Sequence, residues 1–411
     1  MQHAFRALRN RNYRLYVAGQ LVSLIGTFTQ TIGLGWLAYR LTGSPLMLGV
    51  IAFASQLPIL LLTPLGGVWS DRYNRRRSLL LTQALAALQA AILAALIFLE
   101  AVEPWHLIAG AAFLGIVYAL DMPLRMSFLS DMIGSREELP NAIALNALLL
   151  NGSRLIGPVL GGLIVAVAGE GWCFLLNAAS YLAAIAALLA IKTSVPASPR
   201  KVAGWLEGLA AGLRYARASF PCRTLLSIAA IAGFFGMPYM SLMPAYVREA
   251  LGRGAETYGL LTGAAGLGAS LGMVFLAARK QVAGTESLVA VTLGIAGISL
   301  IGFAASNALW LSMALAPAVG FGIMVTATSV NTILQSIVPE DLRGRIASLH
   351  IMAFLGMAPL GHIAAGWVAE HSGARTALAI GGACCLIGTG WFASRLEALR
   401  RQLAAQYAHH K

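Results

Sequence analysis

The sequence predicts an all-α polytopic membrane protein in which twelve transmembrane helices form two six-helix bundles. Of the 411 residues, 58% are hydrophobic and only 11% are charged, which is too little charge to cover the surface of a soluble domain of this size. The 44 glycines suit the close helix contacts found in lipid. The four cysteines form no CxxC or Cys/His set, so neither a disulfide nor a metal site is predicted.

Twelve apolar segments are long enough to cross a bilayer, which requires roughly 20 apolar residues per helix. The basic start of the chain leads into an apolar run that is too long for a cleavable signal core. Internal prolines do not exclude these helices, because neighbouring helices can satisfy the freed backbone groups. In chain order the segments cover residues 15–39, 44–69, 78–99, 105–125, 142–166, 172–191, 224–246, 257–277, 287–305, 308–332, 345–367 and 375–395.

The positions of the basic residues predict the orientation. With the N-terminus inside, all but five of the 29 Lys and Arg residues lie on the cytoplasmic side, as the positive-inside rule requires. Both termini are therefore predicted to be cytoplasmic, in a bacterial inner membrane. The net charge of +13 follows from this topology, so no nucleic-acid partner is predicted.

The longest hydrophilic segment divides the chain into two halves. Residues 1–191 are predicted to form the first bundle and 224–395 the second, with a cytoplasmic tail at 396–411. The linker at 192–223 contains WLEGLAAGLRYAR, which predicts an interfacial helix. An acid–acid–Leu trio followed by a proline-bearing span recurs in both halves. Two similar halves predict substrate binding at their interface and rocking about it.

The loop after span 2 reads GGVWSDRYNRRRS, residues 66–78. Topology explains its four arginines, but not Gly67 four residues before Asp71, nor Arg75 four residues after it. A glycine here lets another helix approach, and a carboxylate at the membrane edge can cap a helix and hold an arginine. The loop resembles the signature loop of the major facilitator superfamily. The resemblance covers the whole chain and implies a cytoplasmic latch between the halves, formed by Gly67, Asp71, Arg72, Arg75 and an acid at the end of span 4, Asp121.

Further stretches are similar to the enterobactin-exporter and macrolide-efflux branch of that superfamily. They are NYRLYVAGQLVSLIGT, GSPLMLGVIAF, EDLRGRIASLH, and the D-x-P-x-R run that begins at Asp121. The loop between spans 8 and 9 keeps a basic pair but lacks a matching Asp, so the resemblance implies a latch on one half only. It also implies proton antiport, for which Asp121, His350 and His362 are the predicted protonation sites. Histidine titrates near neutral pH, although a lone histidine in a span also suits a hydrogen-bonded structural role.

Span 5 contains the run NGSRLIGPVLGG, residues 151–162. It resembles the span 5 signature of antiporters in this superfamily, with small or imino residues at Ser153, Gly157, Pro158, Gly161 and Gly162. Such residues permit tight, bendable packing against a neighbouring helix. Packing alone and a specific antiporter role both remain open.

Arg154 stands within this run, about 15–18 Å inside the cytoplasmic end of its span at 1.5 Å per residue. An unpaired charge there costs at least about 2.5–3.5 kcal/mol, so the side chain is predicted to face a watery cavity and attract an anionic substrate. The alternative is a structural role, bonded to helix carbonyls or to an amide such as Asn151. Asn151 is itself a predicted substrate contact. Polar and aromatic residues at helical spacing predict further substrate contacts, with helix–helix packing as the alternative for each: Gln20, Thr27, Gln30, Gln56, Phe235, Tyr239, Thr328 and Asn331.

The predicted function is export of a small amphipathic molecule, such as an acidic siderophore or a drug, by alternating access. No phosphate-binding loop and no catalytic set of side chains is visible, so the sequence predicts neither an enzyme nor a cofactor. The predicted partners are the substrate, protons and membrane lipids, and the protein is expected to be a monomer. The alternatives are a broad drug:proton antiporter, a lipid or lysolipid flippase, and a membrane receptor or scaffold that transports nothing.

Overall fold

The computed structural model describes residues 6–133, 138–191, 205–279 and 284–409. Over these ranges the chain is helical and contains no strand, which confirms the predicted all-α class. In order, the elements are a 3₁₀ turn Arg6–Arg9, α1 Arg11–Thr42, α2 Pro45–Arg72, α3 Arg75–Phe98, α4 Pro104–Met132, α5 Leu139–Ala168, α6 Glu170–Ala190, α7 Trp205–Ala218, α8 Phe220–Ile231, a π-helical turn Ala232–Gly236, α9 Tyr239–Glu249, α10 Ala255–Ala278, α11 Thr285–Ala305, α12 Leu309–Ile337, α13 Glu340–Phe354 and α14 Ala358–His409.

The twelve predicted spans all coincide with helical segments. Spans 1–6 are α1–α6, and spans 8–10 are α10–α12. Span 7 is built from α8, the π-helical turn and α9, an interruption that the sequence did not predict. The last apolar segment, Glu340–Leu403, has 64 residues, which is too long for one crossing. It divides at Gly373, whose φ of 83° is non-helical, into spans 11 and 12.

The ends of several helices differ from the prediction. The sequence placed the end of span 4 at residue 125, but α4 continues to Met132 through Pro123. The polar D-x-P-x-R run was read as an exit from the membrane, whereas neighbouring helices tolerate a proline within a span. Asp121 therefore lies about 17 Å before the end of its helix at 1.5 Å per residue, further from that end than predicted.

The described helices form two compact units. The first comprises Met1–Gly43, Ile51–Lys201 and Arg253–Gly263, and the second comprises Ser44–Val50, Val202–Gly252 and Ala264–Lys411. The first unit has a core in which Tyr13, Phe128 and Leu124 are almost fully buried. The core of the second includes Leu242, Ala369 and Ala377. The boundaries predicted at 191, 224 and 396 stay predictions, and residues 192–204 and 410–411 lie outside the described residues.

Helix α7 occupies the part of the linker where the interfacial helix was predicted. It packs on α13, where a Cβ atom at Gly212 would lie 3.1 Å from the Cβ of Arg345. Burial raises the pKa of the Tyr215 phenol on the same helix. Arg214 and Arg217 remain exposed. The amphipathic character of α7 is thus used in packing within the second unit, and its place at the membrane surface stays a prediction.

Candidate functional site

The first unit contains a buried carboxylate in α4. Asp121 on α4 is 2% exposed and forms an ion pair with Arg125, one helical turn further on. From α3, the Thr82 hydroxyl donates to Asp121 Oδ1 at 2.7 Å and the Gln83 amide donates to the same oxygen at 2.8 Å. A buried charge requires such a partner and such donors. The spacing of Asp121 and Arg125 in the sequence contained the signal for this pair, but the pairing was not predicted.

A hydrogen-bonded network that the sequence did not predict begins near this carboxylate. Tyr118, on α4 three residues before Asp121, shares a hydrogen bond of 3.0 Å with the hydroxyl of Tyr181 on α6. The Tyr181 hydroxyl lies 3.3 Å from Thr27 Oγ1 on α1. Isolated tyrosines give no pattern in a sequence, so only the packing of α1, α4 and α6 reveals that these hydroxyls meet.

The polar face predicted on span 1 lies inside the first unit. Gln20 and Gln30 are 4% and 3% exposed. Gln30 donates to Gln89 Oε1 on α3 at 3.3 Å and accepts from the Asn177 amide on α6 at 2.7 Å. Thr27 donates to the backbone carbonyl of Ser23. Gln30 thus links three helices in this structure, and a substrate role for this face stays a prediction.

Arg154 lies at the middle of the 30-residue helix α5. Its guanidinium stands over the ring of Phe28 on α1, 5.9 Å from the ring centroid, within cation–π range. The residue is partly exposed. The neighbouring Asn151 donates its amide to the Ala147 carbonyl of the same helix at 2.9 Å, which satisfies that group within α5.

The small residues of span 5 make close contacts on two faces of α5. A Cβ atom at Gly157 would lie 2.5 Å from Phe28 Cβ, and one at Gly161 would lie 2.9 Å from Ile32 Cβ, both on α1. Ser153 and Pro158 are also buried. On the other face, a Cβ at Gly162 would lie 2.6 Å from the Ala255 carbonyl oxygen at the start of α10. The run therefore permits close helix contacts, as its composition predicts, and an antiporter role is not tested by these contacts.

The loop after span 2 is shorter than predicted. Asp71 and Arg72 lie in the last turn of α2, and Arg75 begins α3. Asn74 forms the N-cap of α3, because its side chain accepts from the Arg77 backbone N–H at 3.0 Å. The cap predicted for Asp71 is thus provided by Asn74.

Arg75 contacts an acid of α4 other than Asp121. Its Nη1 lies 2.6 Å from Asp131 Oδ1 on α4, and its Nη2 lies 3.8 Å from Asp71 Oδ1. The acid that meets Arg75 is therefore ten residues beyond Asp121, whose partner is Arg125. The reason is the extended α4, which carries Asp131 to the level of the α2–α3 turn. A role of Asp121 in the latch stays a prediction.

The glycine at which a neighbouring helix approaches closely is also not the predicted one. A Cβ atom at Gly66 would lie 2.3 Å from the Ala119 carbonyl oxygen of α4, whereas one at Gly67 would meet no atom within 4 Å. The predicted reason for Gly67, approach of another helix, thus applies to its neighbour in this structure.

The remaining predicted residues are spread over both units. Thr328 donates to the Met273 sulfur at 3.5 Å, and Asn331 and Gln56 are partly exposed. The second unit also contains the two histidines predicted as protonation sites, His350 and His362. His362 is 3% exposed, with Nδ1 2.8 Å from Ser241 Oγ. His350 is 7% exposed, and its buried Nε2 has no hydrogen-bond partner among the described residues. Phe235 and Tyr239 line an apolar cavity.

Comparison with known proteins identifies the family. The model of the transmembrane secretion effector family, MFS_3, matches residues 2–409. The chain therefore belongs to this family of the major facilitator superfamily, whose members are transporters and not enzymes. It is a polytopic membrane protein.

Individual relatives fit this assignment. The staphyloferrin A transporter of Staphylococcus aureus is 24% identical over 351 residues, covering 85% of this chain and 87% of the relative. The multidrug efflux pump Tap of Mycobacterium tuberculosis is 28% identical over 408 residues, covering 94% and 93%. The enterobactin exporter EntS of Shigella flexneri is 26% identical, covering 76% and 71%. A bacterial homologue of the iron transporter ferroportin shares the fold, with a TM-score of 0.75, 15% identity and coverage of 94% and 98%.

Proposed function

We propose that the protein is a secondary active exporter in the bacterial inner membrane, which moves a small amphipathic siderophore or drug by alternating access in exchange for protons. The family, the enterobactin exporter and multidrug efflux pump among its relatives, and the fold support export. The excess of basic residues on one side supports cytoplasmic termini. The mature protein works as a monomer in this proposal.

The observation that carries the proposal is the position of Arg154. A guanidinium at the middle of a transmembrane helix is costly unless water or a partner compensates its charge, and charged residues at such positions commonly mark substrate pathways. Its contact with Phe28 places a cation and an aromatic face side by side. This combination suits an amphipathic substrate, because the guanidinium attracts a carboxylate or another acceptor and the ring packs on an apolar part.

Asp121 is the proposed proton carrier. It is a buried carboxylate deep in a transmembrane helix, and its oxygens are held by Arg125, Thr82 and Gln83. The proposed path for the proton is the row of hydroxyls that starts at Tyr118, three residues before Asp121 on α4, and continues through Tyr181 to Thr27. Protonation of Asp121 would break the ion pair with Arg125, so it would change the packing of α4 as well as its charge.

The contact of α5 with the start of α10 supports alternating access. Gly162 and Gly259 are close enough that a Cβ at Gly259 would lie 2.9 Å from the Cα of Gly162. The sequence assigns these helices to different bundles. Backbones that meet through glycine can separate without breaking side-chain interactions, which suits a contact that opens once in each cycle.

The test is export by purified protein in proteoliposomes. Arg154→Ala should abolish export of an anionic siderophore while neutral or cationic drugs are still exported, and Arg154→Lys, which keeps the charge, should retain part of the activity. Circular dichroism and gel filtration check that each variant is folded. Normal export of the anionic substrate by Arg154→Ala would contradict the proposed role.

A further inference from the structure

The interrupted span 7 lies beside two adjoining cavities in the second unit. The first, of about 70 Å³, is lined by Phe235, Tyr239 and Gly381 among others. The second, of about 300 Å³, is lined by Phe235, Cys384 and Trp391 among others. Phe235, on the π-helical turn, belongs to both. Such turns are frequently found at functional sites. The sequence predicted Phe235 as a substrate contact, but the cavities on which this turn lies favour a different ligand. We call the two cavities together the span 7 groove.

The second arm of α14 supplies one wall of the span 7 groove. Its lining residues include Ala377, Gly381, Cys384, Gly388 and Trp391, which recur at intervals of three and four and so lie along one face of the helix. This wall is about 21 Å long at 1.5 Å per residue. The groove has the length and the apolar lining that suit a hydrocarbon chain.

The span 7 groove opens towards the membrane and ends at a cation. Ile387 beside the groove is 71% exposed, and such exposed apolar surface within a transmembrane helix faces lipid. One turn beyond Trp391, the guanidinium of Arg395 lies 4.4 Å from the centroid of the Trp391 ring. Arg395 is also at the end of span 12 that the charge distribution assigns to the cytoplasm. The apolar wall matches the acyl chain of an anionic lipid, and the cation at its end matches the charged headgroup.

We propose that the span 7 groove binds an anionic phospholipid of the cytoplasmic leaflet. The acyl chain lies along Phe235 and Cys384, and the headgroup phosphate meets Arg395. An apolar wall offers nothing to a charged group, so the chain must occupy it, whereas a guanidinium binds phosphate through paired hydrogen bonds. The cytoplasmic leaflet supplies anionic lipid on that side.

The experiment uses the full-length protein in phosphatidylcholine nanodiscs. Phosphatidylglycerol or phosphatidylcholine with brominated acyl chains is added at equal mole fraction, because bromine quenches nearby tryptophan. The chain has eight tryptophans, so the signal of Trp391 is taken as the difference between the wild type and Trp391→Phe. Brominated phosphatidylglycerol should quench Trp391 saturably and about fivefold more effectively than phosphatidylcholine, the preference expected of one basic residue near the headgroups.

Variants distinguish the contribution of the acyl chain to binding from that of the headgroup. Cys384→Phe fills the groove and should reduce quenching by both lipids, while Gly390→Phe, at an exposed position of the same helix with open space around it, should not. Arg395→Gln should abolish the preference for phosphatidylglycerol, while Arg401→Gln, with the same loss of charge on the same helix, should keep it.

Two outcomes would overturn the proposal. One is quenching that is equal for both lipids in the wild type and unaffected by Cys384→Phe, since it would report the bulk bilayer alone. The other is quenching by a brominated free fatty acid but by neither lipid, which would assign the groove to a diffusible amphiphile. Because the readout is binding, either result is independent of whether Arg154 supports export.

Discussion

At the scale of single residues, the first unit contains a buried ion pair within α4. Asp121 and Arg125 are tolerable in the membrane because each neutralises the other and because Thr82 and Gln83 satisfy the carboxylate. Breaking a buried pair is more costly than removing it altogether, since a single replacement leaves an uncompensated charge. The pair thus contributes more to the specificity of packing than to stability.

The first prediction concerns this pair. Asp121→Asn should destabilise the protein by about 3–5 kcal/mol, because it leaves the Arg125 guanidinium buried without an anion. Asp121→Asn combined with Arg125→Gln should recover most of that loss. Thermal unfolding in detergent measures both effects, and equal stability of the single and double variants would show that the pair is not the cause. If Asp121 is the proton carrier, as proposed, both variants should also lose export driven by a pH gradient.

A second prediction uses two adjacent glycines as a matched pair. Gly66→Ala should destabilise the protein by about 1–3 kcal/mol, because the added methyl group would overlap the Ala119 carbonyl oxygen. Gly67→Ala should be neutral or should stabilise by about 0.5–1 kcal/mol, because alanine is the better helix former. Unfolding temperatures of the two variants decide the matter. The reverse order would show that the close contact is at Gly67.

At the scale of helices, the sequence predicted the existence of the spans better than their ends and their partners. Apolar runs of sufficient length require helices in lipid, so all twelve spans were predictable. The polar residues around Asp121 were read as the end of span 4, although they lie within α4, where helix α3 supplies their donors. Which acid meets Arg75 depends on the length and rotation of α4, and neither is encoded in the spacing of the signature loop.

The third prediction tests the partner of Arg75. The Arg75–Asp131 contact is short and mostly buried, so a double-mutant cycle with Arg75→Gln and Asp131→Asn should give a coupling energy of about 1 kcal/mol. Arg77→Gln, on an exposed residue of the same turn, should show no coupling to Asp131→Asn. Unfolding of the four proteins in each cycle provides the measurement. Additive effects of Arg75→Gln and Asp131→Asn would rule out an energetic link.

At the scale of the whole molecule, the two glycine faces of α5 have different consequences. Gly157 and Gly161 pack on α1 within the predicted first bundle, whereas Gly162 meets the start of α10. The sequence assigns α10 to the second bundle, although its residues up to Gly263 group with the first unit in this structure. Transport by alternating access requires the bundles to move as bodies about a central site. Contacts on the α1 face should then persist through the cycle, while the contact at Gly162 should form and break.

The final prediction follows from this difference. Gly162→Val should hold α5 and α10 apart, since its Cβ would lie 2.6 Å from the Ala255 carbonyl oxygen. The control Gly152→Val lies on the same helix with open space around it, so it should leave the transport cycle unchanged. Spin labels at Val167→Cys and Arg253→Cys, near the two helix ends, report their separation by pulsed electron resonance. The wild type should populate a short and a long distance between the labels, and Gly162→Val should populate the long distance alone. Export by Gly162→Val should fall at least about tenfold, because loss of one required state blocks turnover. A distance distribution identical to that of Gly152→Val, together with normal export, would mean that this contact does not open and that the cycle uses another gate.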